Sequence, residues 1–139
     1  MNSTHSNPLG WLLDERIGSL NGVRAAVLLT ADALLHSRTS VTSQEAAEKL
    51  AAIGGTLHGA ARTYTGESGV GEVRQVLVEA ERGLCVIARI GENMLVLVET
   101  GTEDVDIALI TQQVVVLGAS VSEELRALAR VPAGERPQP

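Results

Sequence analysis

Few side chains in this sequence stand where chemistry needs them. The three histidines, His5, His36 and His58, fall in a polar leader, a short strand and a helix, without the close His or Cys spacing that zinc requires. They read as surface or packing residues, and neither metal nor cofactor is expected. The one cysteine, Cys85, lies in the apolar run Leu84 to Ile90 with no charged neighbour to hold it as a thiolate. A G-x-S-x-G nucleophile elbow is absent. Glu79 and Glu81 flank a turn on one strand face, but nothing apolar nearby would raise one pKa for acid/base work. Gly66 and Gly71 have the five-residue separation of phosphate-loop glycines, yet Glu72 and Val73 stand where Lys and Ser or Thr belong. An acidic loop repels a triphosphate. Arg38, Arg62, Arg74 and Arg89 have the chemistry to meet a partner's phosphates, as an arginine finger does, and nothing in sequence singles one out. No acid, base and nucleophile assemble into a set, so the chain reads as a non-enzyme.

Composition narrows the field further. At 139 residues the chain fits one domain with an ordinary core. Phe is absent and Trp11 and Tyr64 are the only aromatics. The core is therefore aliphatic, and neither a base-stacking nucleic-acid surface nor an aromatic cage for a cation is expected. Eleven Lys and Arg against 17 Asp and Glu leave a net charge of −6, which repels nucleic acid and anionic lipid. A single cysteine excludes an internal disulfide and fits a reducing cytoplasm. The start, MNSTHSNPLG, has no basic n-region and no apolar h-region. No direct membrane insertion is expected; any membrane association would come through a partner.

The element that organises the rest runs from Thr42 to Tyr64. At about 100° per residue, Ala46, Leu50, Ile53, Leu57 and Ala61 share a large apolar stripe, while Ala47, Ala51, Gly55 and Gly59 share a small, smooth one roughly opposite. Glu45, Glu48, Lys49 and Thr56 keep part of the circumference wet. The large stripe is expected to cover the chain's own core and the small one to meet a second subunit or partner. Helix-interior glycines cost about 1 kcal/mol each relative to alanine, which a close contact would offset. Surface filler is the competing reading.

Around this helix the remaining elements follow in order. Asn7 as N-cap and Pro8 in the first turn open a short amphipathic helix that ends near Asn21-Gly22. Val23 to Thr30 and Leu34 to Arg38 read as a hairpin whose turn, Ala31-Asp32-Ala33, lacks the glycine that a tight turn prefers. Thr42 with Glu45 fits a capping box, and Thr65 to Glu72 reads as a flexible connection. Val73 to Ala80, Leu84 to Ile90 and Met94 to Glu99 form a meander with short turns, hence antiparallel neighbours. Asp104 caps a last helix carrying Ile107, Ile110, Val114, Leu117, Val121, Leu125 and Leu128. Residues 1–6 and the proline-rich 131–139 read as disordered, leaving one domain over residues 7–130. The order αββαβββα predicts an α+β sandwich, a five-stranded antiparallel sheet flanked by helices.

Leu9 to Asp14 (LGWLLD), Gly22-Val23, Leu28 to Leu35 (LLTADALL), Gly59-Ala60-Ala61 and Val73 to Gly83 (VRQVLVEAERG) together resemble the Roadblock (dynein light chain) family. The likeness is to its bacterial members encoded beside small Ras-like GTPases, nearest to actinobacterial conservon proteins, and spans about Pro8 to Leu128. Ala33, where relatives carry Gly, and the longer TGESGVGE depart from the pattern. The resemblance implies a homodimer joined edge to edge through Val73 to Ala80, with the central helices of the two subunits packed together. It also implies a regulatory or scaffold role on a Ras-like small GTPase, activating or recruiting it, alongside a sensor histidine kinase complex in a bacterial signalling system. On both grounds the expected dimer or partner interface comprises Ala47, Ala51, Gly55, Gly59, Arg62, Val73, Gln75 and Leu77. A small-ligand-binding sensory domain of related α+β architecture is the alternative.

Overall fold

A computed structural model describes residues 6–130; the expectations for residues 1–5 and 131–139 lie outside the described residues. The element order is as expected: α1 (Gly10–Leu13) passing directly into a π-helical turn (Asp14–Gly18), β1 (Val23–Thr30), β2 (Leu35–Arg38), α2 (Gln44–Ser68), β3 (Gln75–Ala80), β4 (Gly83–Ile90), β5 (Met94–Thr100) and α3 (Ile107–Arg130). The strands make one antiparallel sheet in the order β2-β1-β5-β4-β3.

Side-chain alternation along each strand divides the apolar residues between two layers. Ala26, Leu28, Ala88, Ile90, Val96 and Val98 face α1, the π turn and α3, where Leu13, Ile17, Ile110 and Leu117 close the core. Val27, Leu29, Ile87, Leu95 and Leu97 face α2. Because both faces are covered, β1 and β5 are apolar almost throughout, as their sequences require. The Val114-Val115-Val116 run, despite its β propensity, lies inside α3, where Val114 is buried and the spacing of the core residues decides the conformation.

Several boundaries differ from the sequence reading for identifiable reasons. Asn7 does not cap α1. Its side chain instead extends the sheet edge, the amide nitrogen donating to the Arg38 carbonyl at 3.0 Å and the amide oxygen accepting from the Arg38 N–H at 2.7 Å. The α2 cap is Ser43, whose hydroxyl accepts from the Ala46 N–H at 3.1 Å. Thr42 is not available, since its hydroxyl lies 2.6 Å from that of buried Thr39. The helix runs past Tyr64 to Ser68, ended by Gly69 at φ 65°, the left-handed conformation that favours glycine. Half of the expected flexible connection is thus helix. β2 and β3 each begin later, at Leu35 and Gln75. At the last helix the cap is Asp106, which accepts from the Leu109 N–H at 3.1 Å, while Asp104 sits in the preceding turn at φ 56°.

Candidate functional site

The two edges of the sheet are finished differently. Beyond β2 the edge is occupied by the Asn7 side chain and by the Leu9 N–H, which donates to Ser37 Oγ at 2.9 Å. β3 pairs with β4 from Gln75↔Ala88 to Ala80↔Gly83, and its other side has no strand among the described residues. An unpaired strand edge is a template for another chain unless charge or a covering element blocks it. Here the strand presents Leu77 and Val78, 48 % and 40 % exposed. Leu77 and Gln75 point to the α3 side, Val76 and Val78 to the α2 side, following the register with Val86 and Ile87. α3 does not reach over β3: a groove of about 780 Å³ lies between them, lined by Gln75, Val86, Ala88, Val115 and Gly118 among others.

α2 meets the sheet differently from the expectation. Ala47 and Ala51 are buried against Val27, Leu29, Leu95 and Leu97 of the chain's own sheet. At Gly54 a Cβ would stand 3.2 Å from Leu97 Cδ1 and 3.3 Å from Leu29 Cδ1. Gly55 packs on Ala33 of the β1–β2 turn, where an added Cβ would lie 2.9 Å from the Ala33 Cα. The small stripe therefore serves intramolecular packing at Ala47 and Ala51, for which assignment to a partner is corrected, while Gly55 is half-buried on the β1–β2 turn. The cause is volume. Large aliphatic residues of the sheet already fill the space between layers, so the helix can lie down only through small ones. On the flank away from Gly55, Leu50 and Leu57 are half-buried beside the cluster that holds Val76 and Cys85, and Ile53 and Tyr64 emerge 48 % and 64 % exposed. Part of the large stripe thus faces outward. Gly59 has nothing within 4 Å of a built Cβ, and Arg62 is exposed.

A family model described as the Roadblock/LC7 domain matches residues 9–100. The chain belongs to the Roadblock/LC7 family. A Roadblock/LC7 domain from Streptomyces avermitilis superimposes with TM-score 0.80 at 29% identity, covering 87% of this chain and 99% of that one. MglB of Myxococcus xanthus gives TM-score 0.74 at 13% identity, covering 86% and 96%. The gliding protein MglB of Thermus thermophilus gives 0.68 at 15%, covering 82% and 87%; at such identities the likeness is one of fold. A comparison with curated protein sequences finds no match.

Within this Roadblock domain the interface residues expected from sequence fall into two groups. Gln75 and Leu77 lie on the open edge strand with Val73 in the connection just before it, and Gly59 and Arg62 lie open on α2, while Ala47 and Ala51 are interior to the protomer and Gly55 is half-buried. Sequence reasoning missed Ile53 and Tyr64 as surface residues. Their spacing, about three turns on one face, was the available signal.

The reactive groups are quiet. Burial and then the Glu99 carboxylate push the Cys85 thiol up, away from thiolate. Burial lowers His36. His58 is lowered by burial first, then by the Arg62 and Arg89 guanidinium groups. Among the described residues no group of three His, Cys, Asp or Glu side chains is arranged to hold a metal, and no helix is long and apolar enough to cross a membrane.

Proposed function

We propose that this Roadblock domain is a non-enzymatic homodimeric regulator or scaffold of a small Ras-like GTPase in a bacterial signalling system. The observation that carries the reading is the unpaired β3 edge with Leu77 and Val78 exposed along it. Antiparallel pairing of two such edges about a two-fold axis satisfies the backbone groups of both copies and continues one sheet across the pair, a closed and isologous arrangement. Ile53, Leu57 and Tyr64 lie on the α2 flank away from the β1–β2 turn and give each copy a second apolar surface that the same axis can bury. Gly59 and Arg62, on the remaining open side of α2, are the residues assigned to the GTPase.

Membership of the family supports a regulatory role, and the resemblance to Roadblock proteins encoded beside Ras-like GTPases supports the partner class. A non-enzymatic role fits the raised Cys85 thiol and the dispersed histidines. The test is mass in solution by light scattering, first alone and then with a candidate Ras-like GTPase in its GDP and GTP-analogue forms. A dimer that binds one nucleotide state preferentially is expected and gives the direction of regulation. A monomer blind to the GTPase in both states overturns the reading.

A further inference from the structure

Where the C-terminal half of α2 meets the β4–β5 turn there is a pocket of about 450 Å³, lined by His58, Arg62, Gly71, Glu72, Arg89 and Glu92 among others. The volume lies within the range of small-molecule sites, roughly 300–1,000 Å³. His58 is more than nine-tenths buried, and its Nε2 has no hydrogen-bond partner. A buried polar atom left unpaired costs stability unless something else satisfies it. Four other charged side chains line the pocket. Arg62 stands one turn after His58 on α2, with no hydrogen bond or ion pair to its guanidinium among the described residues. Arg89 of β4 is held in place by the carbonyls of Gly91 and Glu92, both at 3.0 Å, and faces the Glu72 carboxylate at 3.7 Å. Glu92 lies in the β4–β5 turn.

The geometry points to a binding site for a small oxyanion, the phosphate or carboxylate group of a free metabolite, held by His58, Arg62 and Arg89. Glu72 occupies one side of that arrangement as an internal carboxylate. Its side chain is 88 % exposed and meets Arg89 at long range, so an incoming anion can displace it at small cost. Two arginines and an unpaired imidazole can then supply charge-assisted hydrogen bonds, the arrangement that suits carboxylate and phosphate. The anion reverses the electrostatics at His58. Burial and two neighbouring guanidinium groups hold the ring neutral, whereas a bound negative charge favours the imidazolium and gives Nε2–H an acceptor. The site spans α2, the connection into β3 and the turn after β4. A ligand there ties the open edge strand to the helix that flanks it. This inference does not depend on the GTPase partner, and its test needs none.

The experiment titrates inorganic phosphate, and in parallel succinate, into the full chain at constant ionic strength, following the His58 ring by NMR with His36 on β2 as internal reference. A saturable shift at His58 with a raised pKa is expected, with His36 unmoved. The stronger of the two anions identifies phosphate or carboxylate as the group recognised. Arg62→Glu is expected to weaken binding by about tenfold or more, and Glu72→Gln to tighten it severalfold by removing the competing carboxylate. Both residues are exposed, so the variants keep the fold, which the His36 resonances verify. The proposal is overturned if neither anion moves His58, or if saturable binding is the same in wild type and both variants.

Discussion

Gly55 of α2 and Ala33 of the β1–β2 turn occupy complementary space: the helix lacks a Cβ where the turn provides one. Ala33 holds φ 71°, a left-handed conformation that costs a non-glycine residue roughly 1–2 kcal/mol. The sequence lacks glycine at the turn and has it on the helix facing the turn. Gly55→Ala forces the two Cβ atoms together, and a loss of about 1–3 kcal/mol outweighs the gain of about 1 kcal/mol in helix propensity. Ala33→Gly relaxes both the turn and the contact. Urea denaturation of the two single variants and the double variant tests this as a cycle, with the double variant recovering only part of the loss, because the added Cβ also stands 2.9 Å from the Ala33 Cα, which the glycine keeps. A Gly55→Ala protein as stable as wild type would show that the helix does not sit on the turn.

Buried Thr39 holds the start of α2 to β1. Its hydroxyl accepts from the Ala26 N–H at 3.2 Å and lies 2.6 Å from Thr42 Oγ1, both threonines being buried. Thr39→Val keeps the shape and leaves the Ala26 N–H without an acceptor. A loss of about 1–3 kcal/mol is expected, read from chemical denaturation. Ser40→Ala, at the exposed neighbour, is expected to stay within about 0.5 kcal/mol of wild type.

How much of this could be read from the sequence depends on what each signal reports. Element order and the single sheet follow from periodicity and from turns too short for anything but antiparallel neighbours, and these local signals agree with the fold. The face of α2 does not follow from α2 alone. Ala47, Ala51 and Gly54 are buried because Leu29, Leu95 and Leu97 arrive from distant strands to fill the volume, which a helical wheel drawn from one segment cannot register. Caps shifted by one or two residues for a similar reason: Thr42 has a capping side chain, but Thr39 engages it across the loop. His58 carries no sequence signal beyond its type. Its role rests on Arg89 coming from a strand 31 positions later in the chain.

The two histidines among the described residues, His36 and His58, make the fold sensitive to acid. Burial lowers His36, and burial with Arg62 and Arg89 lowers His58, from the ordinary value of 6.5. The unfolded chain therefore binds protons that the folded chain resists, and stability rises with pH in that window. It is fully present above about pH 6.5 and falls as the pH drops through 6.5 toward the lower folded values. Melting temperature measured from pH 8 to pH 5 in an anion-poor buffer should decline on the acid side. His58→Gln and His36→Gln should each flatten the decline, and an unchanged slope in both would place the titrating groups elsewhere.

The edge strand offers the most direct test of assembly, because Leu77 can be charged without touching the core. A lysine on an exposed edge is a common device against strand pairing, and at 48 % exposure Leu77→Lys leaves the protomer intact. Ile53→Glu charges the outward flank of α2 in the same way. Each should raise the dimer dissociation constant by about tenfold or more, seen in light scattering as a fall toward monomer mass on dilution, with circular dichroism unchanged. Leu34→Lys, at a more exposed leucine in the β1–β2 turn next to the closed edge, should leave the mass as it is. The two dimer variants separate the surfaces: loss of mass in Leu77→Lys alone assigns the interface to the strand, and loss in both assigns it to strand and helix together. Wild-type mass retained by both variants would mean that two copies do not meet at this edge.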